Sequence, residues 1–121
     1  MMLRTAFVLV LALGAFGTAR AQRSLEPAET SFEIPLALAV LPAGGVGSVT
    51  FKTCDQCTTY SRLLTASTHF FINGREVAAA DFVTAAGDIR KAGAAAKPGP
   101  LFMLYVDIKT QLVNRAAVFQ P

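Results

Sequence analysis

Hydrophobic and polar residues alternate along residues 46–53, with Val49 and Phe51 on one side and Thr50 and Lys52 on the other. Period-two alternation predicts a half-buried β-strand there. Residues 32–41 (FEIPLALAVL) predict an earlier strand entered through Pro35. A proline lacks the N–H needed for an inner ladder, so it suits a strand start or a sheet edge. Residues 42–45 (PAGG) read as a turn between these two strands. Residues 58–65 and 68–72 (THFFI) are both β-prone, and the second runs into Asn73-Gly74 and then Arg75-Glu76-Val77. Asn-Gly between such runs predicts a hairpin with a type I′ turn, whose two central residues need positive φ.

Periodicity changes over residues 78–96, where alanine dominates and Phe82, Ala86, Ile89 and Gly93 fall at helical spacing. One apolar face at that spacing predicts an amphipathic helix. Asp81 near its start and Arg90 and Lys91 near its end suit the helix dipole. Lys97-Pro98-Gly99-Pro100 stops it. Residues 101–107 (LFMLYVD) are a near-continuous apolar strand, and residues 111–119 return as the last strand after a turn at 107–110. The expected fold is α+β: an antiparallel sheet or small curled β-barrel of five to six strands, with one helix before the C-terminal hairpin.

The first residues follow a different logic. A basic start at Arg4, an uncharged apolar run over 6–16 (AFVLVLALGAF) and Ala19-Arg20-Ala21 form the pattern of a cleavable export signal. The run is far shorter than the roughly 20 apolar residues of a membrane-spanning helix. The chain therefore divides into a signal peptide (1–21), a polar, mobile N-terminal arm (22–31) and a single α+β domain (32–121). The expected location is periplasmic or secreted, with no membrane span after cleavage near Ala21.

Composition changes the picture mainly by subtraction. The chain has 11 Lys and Arg against 8 Asp and Glu, but Arg4 and Arg20 lie in the leader, which leaves a net charge near +1. No dense basic cluster interleaved with aromatics remains, which argues against nucleic acid as a partner.

The chain's two cysteines are Cys54 and Cys57. In an exported protein an even count favours a disulfide. The pair sits where the hairpin between residues 46–53 and 58–65 would turn, so a structural disulfide fixing that hairpin is the first reading. Thiol–disulfide exchange is the second. A redox-active CxxC normally opens a helix that lowers the thiol pKa, whereas Thr58-Thr59-Tyr60 is β-prone and Asp55 is acidic. A metal site is the third: Cys54, Cys57 and His69 supply three ligands, and Asp55 or Asp81 would have to complete a closed zinc shell. Haem attachment needs histidine after the second cysteine, where Thr58 stands.

No serine nucleophile motif occurs, and Gly44-Gly45-Val46-Gly47 lacks the lysine and helix of a phosphate loop. The sequence thus names no catalytic residue and no cofactor, and it points away from an enzyme. Phe70, Phe71, Phe102 and Tyr105 read as core, with one face of the Phe70-Phe71 strand available to line a groove.

The pattern Phe51-x-x-Cys54-x-x-Cys57, Leu64, Thr68-x-Phe70, Asn73-Gly74, Val77 and Phe82 resembles a group of small, uncharacterised exported proteins of Gram-negative bacteria. The likeness covers residues 46–82 and has a weaker echo in the terminal hairpin. It implies a periplasmic location and carries no activity, cofactor or catalytic residue. The resulting expectation is a non-enzymatic exported binding or structural module of the cell envelope. Its partner would be an envelope protein or a small ligand, met at an exposed strand edge within residues 32–41. A periplasmic thiol-disulfide oxidoreductase or redox sensor using Cys54 and Cys57 is the alternative.

Overall fold

A computed structural model describes residues 28–121. The leader and most of the expected arm lie outside the described residues. The strands are β1 (Glu29–Pro35), β2 (Ala39–Val40), β3 (Gly47–Phe51), β4 (Tyr60–Ile72), β5 (Arg75–Val77), β6 (Leu101–Asp107) and β7 (Leu112–Phe119). One 3-10 turn (Leu36–Leu38) separates β1 from β2, and one helix, α1 (Ala79–Ala92), lies between β5 and β6.

The α+β class holds, and two of its details are corrected. The described residues form seven strands rather than five or six, in the order β1-β6-β7-β4-β3-β2 with β5 also on β4. The sheet is mixed rather than antiparallel, because β4 and β7 run parallel. That pairing joins strands separated in sequence by β5, α1 and β6, so no hairpin signal announces it.

The sheet curls into a half-barrel. Its two terminal strands, β1 and β2, are consecutive in sequence and share the Leu36–Leu38 corner. Pro35 leaves β1 rather than opening it, with φ −57° and ψ 127°. The Lys52 N–H donates to the Leu38 carbonyl at 3.1 Å, which ties this corner to the end of β3. Arg90, in the last turn of α1, donates through Nη2 to the carbonyls of Leu36, at 2.9 Å, and Ala39.

The concave face holds the core. Ile34, Val49, Phe51, Leu64, Phe70, Phe102, Leu104, Val106, Val113 and Val118 are buried there. Helix α1 covers this face with Phe82, Ala86 and Ile89, three of the four positions its spacing predicts; the fourth, Gly93, is its C-cap, so the helix ends before the expected stop at Lys97. The Phe82 ring lies 5.0 Å from that of Phe70 and 6.2 Å from that of Phe102. Gly45, with φ +85°, sits so close to the start of α1 that a Cβ there would stand 2.8 Å from the Ala79 carbonyl oxygen. Only glycine fits that approach. Asn73 and Gly74 have φ of 49° and 85°, which matches the expected type I′ turn between β4 and β5.

Residues 58–65 and 68–72, expected as separate strands, form one 13-residue β4 with an irregularity between them. Against β7 its register shifts between Leu64 and His69, so Thr65, Ala66 and Ser67 bulge from the ladder. The 107–110 turn is fastened by Asp107, whose Oδ1 accepts the N–H groups of Lys109 and Thr110, both at 2.9 Å. The Thr110 N–H, chiefly, holds the Asp107 carboxyl below its ordinary value.

Candidate functional site

Strand β3 ends at Phe51 and β4 starts at Tyr60, so the cysteines lie in a loop over residues 52–59 and not at a two-residue hairpin turn. Within that loop Cys54, Asp55, Gln56 and Cys57 form a β-turn, with the Cys57 N–H donating to the Cys54 carbonyl at 3.1 Å. The Cα atoms are 5.0 Å apart, and the sulfur atoms are at bonding distance. Cys54 is exposed and Cys57 half-buried. The chain enters β4 after the loop, so the cysteine pair does not open a helix.

His69 is not near this pair. It lies nine residues into β4 from Tyr60, beyond the register shift between Leu64 and His69, whereas the cysteines lie in the loop before β4. The ligand set Cys54, Cys57 and His69 is therefore not assembled. Among the described residues no group of three or more His, Cys, Asp or Glu side chains is placed to hold a metal.

His69 instead borders a cleft of about 510 Å³ between the β4 bulge, β5 and the start of α1. Phe70, Val77 and Ala79 supply apolar lining, and Thr65, Ser67, His69 and Glu76 supply the polar groups. His69 Nδ1 lies 3.0 Å from Glu76 Oε2, both side chains being well exposed. Two threonine hydroxyls beside it are engaged by the backbone. Thr68 Oγ1 donates to the Val113 carbonyl at 2.7 Å, and Thr65 Oγ1 accepts the Ser67 N–H at 3.1 Å. Among the described residues no hydroxyl is hydrogen-bonded to the His69–Glu76 pair.

A polar line continues over the convex face. His69 pairs in register with Arg115 on β7. The Arg115 guanidinium lies 4.0 Å from the Tyr105 ring centroid and 3.2 Å from Glu29 Oε1. Asn114 Nδ2 donates to Glu29 Oε2 at 3.0 Å. These contacts join residues up to 86 positions apart, and no sequence spacing signals them.

Among the described residues no strand pairs with the outer edge of β1. The partner of β1 is β6, in a register that pairs Phe32 with Leu104. The ladder continues on both sides of β1: the Ile108 N–H donates to the Ala28 carbonyl and the Leu36 N–H to the Pro100 carbonyl, each at 3.0 Å. In an antiparallel ladder, hydrogen-bonded positions alternate. Ala28, Thr30, Phe32, Ile34 and Leu36 therefore turn their main-chain groups toward β6. Glu29, Ser31, Glu33 and Pro35 turn theirs outward. Pro35, which has no N–H, stands in this outward set. Ser31 and Glu33 are exposed.

On the concave side, Phe32 bridges the gap between the two ends of the sheet. Its ring centroid is 5.2 Å from that of Phe51 and 5.8 Å from that of Tyr60. Arg62 lies 5.5 Å from the Phe32 ring centroid and donates through Nη1 to the Ser61 carbonyl at 2.8 Å. Side chains, rather than a β-ladder, hold this end of the half-barrel together.

Comparison of the chain with protein-family models, with curated proteins and with solved structures returned no match. No helix among the described residues is long and apolar enough to cross a membrane.

Proposed function

We propose that this protein is a non-enzymatic binding module exported to the cell envelope. Its binding surface is the outer edge of β1, and a Cys54–Cys57 disulfide clasps the β3–β4 loop. The observation that carries the reading is the row of outward main-chain groups at Glu29, Ser31 and Glu33 on a seven-residue terminal strand. Such a row is a template for an added strand. The exported location follows from the leader pattern in residues 1–21.

In this reading the disulfide is structural. The double variant Cys54→Ser, Cys57→Ser should fold and lose about 2 kcal/mol, the chain-entropy value for so short a loop. For a domain of this size that is a drop in Tm of roughly 8–15 °C, read by calorimetry. The oxidoreductase reading retains one favourable observation, the exposure of Cys54. It expects an unchanged Tm and loss of thiol-exchange activity in the same variant.

A further inference from the structure

We infer that the strand received at the β1 edge is an extended segment of a different protein, with a lysine or arginine opposite Glu33. The inference rests on the reading of β1 as the binding edge and adds the chemistry of the partner. Outward groups on Glu29, Ser31 and Glu33 make narrow, doubly hydrogen-bonded pairs with an incoming strand, whose matching side chains then share the convex face with theirs. Of the two carboxylates in this row, Glu29 is already engaged by Asn114 and Arg115. Glu33 is exposed and has no ion-pair partner among the described residues. Its cross-strand neighbour on β6 is Met103. An incoming cation at that position therefore meets an unneutralised carboxylate without displacing an existing pair.

The same residues argue against a second copy as the occupant. Residues 29–35 (ETSFEIP) contain no lysine or arginine, so pairing β1 with β1 of a second copy brings no cation to Glu33, and the register centred on Ser31 sets each Glu29 opposite the Glu33 of the other copy. Like charges directly opposed across a ladder are destabilising. Pro35 and the Leu36–Leu38 corner end the edge at one side.

The test uses the purified protein and fluorescence anisotropy. The probe is a labelled nine-residue peptide of alternating threonine and valine with one central lysine, set against a counterpart carrying glutamate. Wild type should bind the lysine peptide about two- to fivefold more tightly, the range of a cross-strand charge pair. Glu33→Lys should reverse that preference. Ser31→Pro removes an outward N–H and leaves the β6 ladder whole, as Pro35 already does. It should keep its Tm and lose binding of both peptides.

If Ser31→Pro abolishes binding while wild type treats the two peptides alike, the edge reading survives and the charge inference falls. Equal binding by Ser31→Pro and wild type, or no binding of either peptide by wild type, overturns both. Concentration-dependent self-association lost in Ser31→Pro would identify a second copy and overturn the inference. Glu33→Lys decides the charge question even where the proline variant does not fold.

Discussion

The hydroxyl of Thr68 is buried and fully used. It donates to the Val113 carbonyl at 2.7 Å and accepts the Thr65 N–H at 2.9 Å. These two bonds replace the ladder contacts that β4 gives up where Thr65, Ala66 and Ser67 leave register with β7. Thr68→Val keeps the shape and leaves the buried Val113 carbonyl and the half-buried Thr65 N–H without these partners. Stranded groups of that kind cost about 1–3 kcal/mol. Urea denaturation should show that loss with an unchanged m-value, and a neutral result would mean the bulge does not depend on this hydroxyl. The sequence marks Thr68 only as one more β-prone residue, because its partner lies 45 positions away.

Elements differ in how openly their sequences declare them. Local signals were sufficient for α1, whose buried Phe82, Ala86 and Ile89 recur at helical spacing. They also sufficed for β3, with Val49 and Phe51 buried in alternation, and for the turn at Asn73-Gly74, where positive φ selects those two residues. The corner at Leu36–Leu38 escaped because it is imposed from a distance. Residues 32–41 carry enough apolar side chains for one strand, yet Pro35 and the reach of Arg90 break them into β1, a 3-10 turn and β2. Arg90→Met keeps the aliphatic stem and removes the donors to the Leu36 and Ala39 carbonyls. It should cost about 1.5–3 kcal/mol, the worth of charged hydrogen bonds. Hydrogen exchange should then quicken at Ala39 and Lys52 before it changes in α1. Uniform loss of protection would show that the clamp supports the helix instead.

At the scale of the whole molecule, the half-barrel has two kinds of surface. Its concave side is filled by α1 and the core, while one terminal strand, β1, has no strand paired to its outer edge among the described residues. The sequence pointed to an edge strand through Pro35, but the partner of β1 and the parity of its free groups depend on the long-range register with β6. The cysteine pair was legible as a turn because its spacing is local, whereas its placement within a loop over residues 52–59 required knowing where β3 and β4 stop pairing.

The proposed non-enzymatic function requires that pair to be a clasp and not a catalyst. Its reduction potential, from glutathione-buffer equilibration read by alkylation and intact mass, tests this most directly. A structural bond should lie below about −300 mV. A value between roughly −120 and −230 mV, the range of exchange catalysts, would contradict the account and move the function to Cys54 and Cys57 themselves.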